Sequence, residues 1–181
     1  MERKINTTRL AKMGMLVAIS IVLVSIIHIS IIPSVPFLEY DPADIPILLG
    51  TFAFGPAWGL VLTVVTSILQ GITVSAQSGP YGIIMHIIAT GVLTLACGSI
   101  YNFKKKKTKK HAIVGLIIGT ISMVIVMIFA NILITPYFLG VTKDVVISLM
   151  PGIILFNFIK AGINSIVTFL VYKRVSPFLH K

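Results

Sequence analysis

Long apolar runs alternate with short breaks of proline, glycine and charge along this chain, and the runs have helical rather than strand lengths. They are placed at 10–31, 42–55, 57–75, 80–102, 112–134 and 150–172. A helix needs about 20 residues to cross a bilayer, and most of these runs reach that length. The run at 42–55 does not. It closes at Phe54-Gly55-Pro56-Ala57, and about 14 residues rising 1.5 Å each scarcely cross ~30 Å of hydrocarbon, so it is expected to tilt or to sit where the surface is indented. Its start reads from Asp41-Pro42-x-Asp44, with Asp41 as N-cap, Pro42 at the first helical position and Asp44 in the first turn. Gly55-Pro56 forms a tight turn, Trp58 follows as an interfacial aromatic, and 75–80 is a second turn. The first run is too long for a signal-peptide core and lacks a small-x-small cleavage site, so it reads as a retained span.

Composition turns this helical pattern into a membrane protein. With 56% hydrophobic residues, 11% charged residues and a mean hydropathy of +1.03, there is too little charge to clothe a water-soluble domain of this size. The formal charge of +10 suggests nucleic acid, but the basic residues stand in short blocks between apolar runs, without an aromatic or arginine-rich surface beside them. Membrane topology explains them better. Arg3, Lys4, Arg9 and Lys12 precede a stretch free of Lys and Arg, which ends at the cluster Lys104 to Lys107, Lys109 and Lys110; Lys173, Arg174 and Lys181 close the chain. Three basic groups on the cytoplasmic side require even numbers of spans between them. The expectation is an all-α integral membrane protein: one domain over 1–181, six transmembrane helices in a four-plus-two arrangement, both termini cytoplasmic. The 104–110 run lies against anionic lipid, each charge worth ~1 kcal/mol near the surface. Cys97 is alone and reads as a small packing residue.

Lys160 sits near the centre of the last run, where a charge costs roughly 2.5–3.5 kcal/mol on insertion scales and therefore marks a functional site by default. Asn157, Lys160 and Asn164, at i, i+3 and i+7, share one helix face. The polar residues of the spans gather toward the external half, so that Gln70, Thr73, Asn131, Asn157, Lys160 and Asn164 are expected to line one cavity open to the outside. The proline-rich loop at 32–46 holds three of the five acids; Asp41 and Asp44 have helix-start roles, whereas Glu39 with Phe37, Leu38 and Tyr40 is expected to form a lid. His86 reads either as hydrogen-bonded packing or as a ligand-binding group, the former being commoner for a lone histidine on an apolar face. There is no P-loop motif, no metal-binding motif and no recognisable nucleophile motif, and the acids avoid the span interiors, so neither catalysis nor a metal site is expected. A deep pocket with amides and one ammonium suits a neutral polar molecule with a flat apolar part.

Gly14-x-x-x-Ala18, with Ala11 one turn earlier, has the spacing that lets helices approach closely in lipid. It reads as a partner-docking stripe or as ordinary small-residue packing within the bundle. Two segments, Phe37 through Pro56 and Phe156 through Arg174, closely resemble the riboflavin-specific substrate-binding subunits of energy-coupling factor transporters, and the likeness extends over essentially the whole chain. It implies a six-helix S-component bundle in the bacterial plasma membrane, binding riboflavin as transported cargo from outside beneath the first external loop, with no resident cofactor. It also implies a transmembrane coupling subunit and two ATPase subunits as partners, with Gly14-x-x-x-Ala18 standing where the family has Ala-x-x-x-Ala. For such a cargo, side-chain chemistry sets the expectation that Asn131 and Asn164 meet the pyrimidine edge of the flavin, that Lys160 and Glu39 meet the ribityl hydroxyls and neutralise each other, and that Phe37, Leu38 and Tyr40 contact the dimethylbenzene edge. An S subunit for another vitamin, or a self-sufficient small transporter, are the alternatives.

Overall fold

The computed structural model describes residues 7–103 and 108–180; Arg3, Lys4, Lys104 to Lys107 and Lys181, used above for topology, lie outside the described residues. Seven helices and one two-stranded hairpin make up the described chain: α1 (Thr7–Ile26), β1 (Ile29–Ser30), β2 (Glu39–Tyr40), α2 (Asp44–Phe54), α3 (Pro56–Ile72), α4 (Gly79–Asn102), α5 (Lys109–Leu139), α6 (Lys143–Ser148) and α7 (Met150–His180). A 3-10 turn at Ala76–Ser78 precedes α4. Helices α1, α4, α5 and α7 contain stretches long and apolar enough to cross a membrane, and α2 and α3 are shorter apolar helices.

The first helix stops at Ile26 rather than running to residue 31. Residues 29–30 instead pair antiparallel with 39–40, Ile29 opposite Tyr40 and Ser30 opposite Glu39. The isoleucine-rich segment before Pro33 suits a strand as well as a helix, and the returning loop supplies the backbone partners that decide between them. The hairpin is fastened through Val35, fully buried with Ile32, Val146, Ile153 and Phe156. Gly152 permits this approach, because a side chain there would run into Ser34 and Val35.

Helix α2 is buried on every side from Asp44 to Phe52, as a helix that is hydrophobic all round must be. It packs on α1, α3, α4 and α7, so the short run is an enclosed core helix. Its start is two residues later than Asp41-Pro42 suggests. The N-cap position is Ala43, and Asp41 Oδ1 accepts the Ala43 N–H at 3.0 Å, holding the turn before the helix instead of capping it. Gly55, at φ +101°, makes the turn into α3 that a side chain would strain.

The tightest seam lies between α4 and α5, where Gly115 and Gly119 face Cys97 and Leu93 and leave no room for a side chain at 115. Cys97 is fully buried there, the small packing residue expected. Away from these seams α5 presents Ile117, Ile121, Ile125, Phe129 and Leu133 outward, an apolar sheath suited to lipid rather than water. At the end remote from the hairpin, Phe52, Tyr101 and Tyr172 form an aromatic cluster, and the Lys12 ammonium donates to the Leu179 carbonyl at 3.1 Å. That bond places the start of α1 beside the end of α7.

Candidate functional site

A cavity of about 150 Å³ opens beneath the hairpin, lined by His28, Phe37 to Glu39 and Asp41 from the hairpin region, Gln70 and Ser67 from α3, His86 from α4, Met123, Met127 and Asn131 from α5, and Phe156, Asn157 and Lys160 from α7. The walls contributed by α5 and α7 are set by helical spacing. On α5 the residues 123, 127, 131, 134, 135 and 138 follow one stripe, and on α7 Phe156, Asn157 and Lys160 share a turn. Aromatic and thioether side chains supply apolar surface, and amides, an ammonium and an imidazole supply polar contacts, the usual composition of a small-molecule site.

The ammonium of Lys160 donates to Asp41 Oδ2 at 2.8 Å, both side chains being almost fully buried. This replaces the pairing with Glu39 expected from the sequence: Glu39 Oε2 instead lies 2.8 Å from His28 Nε2 in a partly exposed pair. The hairpin explains the exchange, since it holds Glu39 opposite Ser30, beside His28, while the turn into α2 directs Asp41 inward. Asp41 is thereby saturated. Its Oδ2 also takes the Gln70 amide at 3.4 Å, and its backbone carbonyl takes the Asn164 amide at 3.2 Å.

Asp44, fully buried in the first turn of α2, accepts from Thr90 at 2.6 Å and His86 Nε2 at 3.1 Å through Oδ1, and from Asn164 at 3.1 Å through Oδ2. The acids therefore do not avoid the bundle interior, and two of them stand in it fully partnered, as buried charges must be. A carboxylate only accepts, so His86 donates to Asp44 from Nε2, and its Nδ1 lies 2.9 Å from Ser67 Oγ. His86 is thus both hydrogen-bonded packing and part of the cavity wall.

Asn157 and Lys160 line the cavity, whereas Asn164 lies one turn deeper, fully buried. Its Oδ1 takes the Tyr40 hydroxyl at 3.0 Å and its nitrogen serves Asp41 and Asp44, so it braces the floor. Tyr40 stands behind the wall with it. Partial burial, and secondarily the Asp41 carboxylate, push the Tyr40 phenol above its ordinary pKa, which keeps it a donor. Asn131 lines the cavity with its nitrogen on Met127 O at 2.7 Å and its oxygen accepting from Thr135 at 2.9 Å. Thr73 does not belong to the site: it is exposed, and its hydroxyl turns back to Leu69 O at 2.6 Å, because α3 ends at Ile72 and carries Thr73 past the rim. Ala11, Gly14 and Ala18 are exposed along α1, with open space around Gly14, so they are not packing residues within this bundle.

Sequence reasoning marks neither Asp41 nor the methionines as site residues, and for His86 it favours the packing reading over the ligand-binding one. The methionines were within reach, since Met127 and Met123 lie one and two helical turns before Asn131. No group of His, Cys, Asp and Glu among the described residues has the arrangement of a metal site.

Comparison with known proteins places this geometry. The family model described as ECF transporter, substrate-specific component, matches residues 8–172. Riboflavin transporter RibU of Staphylococcus aureus (strain TCH60) is 34% identical, over 99% of this chain and 98% of that protein. Riboflavin transporter FmnP of Bacillus subtilis (strain 168) is 27% identical, over 82% and 83% respectively. A solved structure described as "Structure and mechanism of the S component of a bacterial ECF transporter" superposes with a TM-score of 0.81 at 35% identity, covering 98% of this chain and 100% of the other.

Proposed function

This chain belongs to the substrate-specific components of energy-coupling factor transporters, and we propose that its cargo is riboflavin, captured from outside the cell in the cavity beneath the hairpin. It is a multi-pass protein of the bacterial membrane and a transport component rather than an enzyme. What carries the assignment of cargo is the cavity's combination of aromatic and methionine surface with amide and ammonium groups, in a chain whose full-length relative is named a riboflavin transporter.

The flavin ring system is flat, with an apolar dimethylbenzene end and a polar pyrimidine end. Phe37, Leu38, Met123, Met127 and Phe156 offer it apolar contact. Asn131, Asn157 and the two Lys160 hydrogens not engaged by Asp41 offer polar contacts to ring carbonyls and ribityl hydroxyls, and Glu39, at the mouth, accepts from a hydroxyl. Lys160 is held charged and aimed by Asp41, so it contributes a donor without a mobile counter-ion. No resident cofactor is called for.

Six spans with both termini cytoplasmic fit this role, α2 and α3 being the two short ones. Arg9, Lys12, Lys109, Lys110, Lys173 and Arg174 flank the ends of α1, α5 and α7 remote from the hairpin, the distribution the positive-inside rule favours for a hairpin facing out. A transmembrane coupling subunit and two ATPases would supply the energy, docking along Ala11, Gly14 and Ala18, where the exposed backbone admits a close partner helix.

The test is purification in detergent, an absorbance spectrum and a flavin-fluorescence quenching titration. The expected result is flavin carried through purification or saturable quenching on its addition. A flavin-free protein that quenches nothing refutes the assignment.

A further inference from the structure

Gln70 stands in the last turn of α3, nine-tenths buried, on the cavity wall. Its amide orientation is dictated by its neighbours. The nitrogen faces Asp41 Oδ2 and Ser75 Oγ, each at 3.4 Å; reversing the amide would set its oxygen against a carboxylate, which has nothing to donate. The oxygen is therefore forced to the other side, where it is buried and finds no hydrogen-bond partner among the described residues. Buried carbonyls without partners are rare and call for an explanation.

The other amides around the site are employed. Asn131 is engaged at both ends by Met127 and Thr135, Asn164 is consumed by Asp41, Asp44 and Tyr40, and Asn157 gives its nitrogen to Ile153 O at 2.8 Å. Gln70 is also the most loosely held of these groups. Both bonds of its nitrogen lie at the long edge of hydrogen-bond distance, against 2.8 Å for the Lys160–Asp41 pair beside it, so a small turn of the amide brings the oxygen to a ligand without opening the ion pair.

We infer that Gln70 is a specificity-determining acceptor, whose carbonyl oxygen takes the ring N–H of a flat heteroaromatic ligand while its nitrogen stays toward Asp41. This rests on the riboflavin assignment: the pyrimidine edge of a flavin carries one N–H, at N3, between two carbonyls, and Lys160 is positioned to donate to a neighbouring carbonyl. A pocket that reserves a buried acceptor for one N–H rejects an isostere lacking it, because the acceptor is then left unpaired.

The experiment compares riboflavin with N3-methylriboflavin on the purified full chain and on Gln70→Leu and Gln70→Met, by quenching titration. In the parent, methylation should weaken binding by about tenfold or more, as for a lost buried hydrogen bond. In both variants the two flavins should bind within about threefold of each other, since the acceptor that distinguished them is gone. Gln70→Met keeps length and flexibility, guarding against a folding defect in Gln70→Leu. Equal binding of the two flavins by the parent overturns the inference without reference to any variant, and so does a methyl penalty that persists undiminished in the variants. A parent that binds neither flavin removes the riboflavin assignment and this inference with it, an outcome distinct from riboflavin binding that is blind to N3.

Discussion

Replacing Lys160 with methionine removes an ammonium and leaves a side chain of similar length in place. In the structure that ammonium is the counter-ion of Asp41 at 2.8 Å, with both groups almost fully buried. Breaking such a pair from one side strands a charge, at about 3–5 kcal/mol. An exposed pair would lose no more than about 1 kcal/mol. Asp41→Leu strands the lysine and also forfeits the bond to Ala43 N–H, so it should cost about 1 kcal/mol more. The double variant Asp41→Leu/Lys160→Met strands neither charge. Apolar replacement of a whole buried pair is often neutral, leaving the lost Ala43 bond, the long Gln70 contact and imperfect packing, about 1–2 kcal/mol in all. The assay is reversible denaturation in detergent micelles, followed through Trp58, the single tryptophan of the chain. Losses that add in the double variant, or a Lys160→Met loss below about 1 kcal/mol, would refute the ion pair as the fastening between the hairpin turn and α7. Flavin binding should stay lost in the double variant even as stability returns, because the ligand's donor is gone.

Asn157→Leu and Asn164→Leu should separate wall from brace: the first weakens flavin affinity at little cost in stability, and the second destabilises by about 1–3 kcal/mol by removing the partner of Asp44 Oδ2 and of the Tyr40 hydroxyl, as thermal unfolding with and without flavin will show. Tyr40→Phe tests the alkaline limb. The folded-state pKa of Tyr40 is raised above its ordinary value of 10.0, so its contribution is complete below that pH and is lost as pH rises through the folded value; the variant should lack this component of alkaline destabilisation in denaturation midpoints measured against pH. Gly14→Leu should leave flavin titrations unchanged, because among the described residues nothing stands within 4 Å of where its side chain would begin, while abolishing uptake in cells carrying the coupling subunits; unchanged uptake would take the docking role away from α1.

The helices were legible in the chain because proline and glycine break a membrane protein at few places. Gly55-Pro56 and the turn at 75–80 each end a run, and α3, α4 and α7 begin within one residue of where the punctuation puts them, whereas α5 runs on to Leu139, past the end expected at 134. Lys160 was legible for a simple electrostatic reason: a charge within a lipid-length run needs a partner, whatever the fold. What the sequence could not supply was the partner's identity. Periodicity orders the residues of one helix around its own axis, so it grouped Asn157, Lys160 and Asn164 correctly. It carries nothing about which turn of which neighbour stands opposite, and Asp41 lies 119 residues away.

That choice fell to the hairpin, which ties Glu39 to His28 and sends Asp41 inward, and to α2, whose complete enclosure carries Asp44 into the interior. The same packing put Asn164 beneath the floor and Thr73 beyond the rim. By itself, then, the chain determined that it lies in a membrane as a bundle of helices with one lysine in need of a counter-charge, since hydropathy and charge act locally. Only the tertiary structure decided that the counter-charge is Asp41 and that Gln70, a residue of the cavity wall, keeps a buried oxygen without a partner among the described residues, since both depend on how distant helices are set against one another.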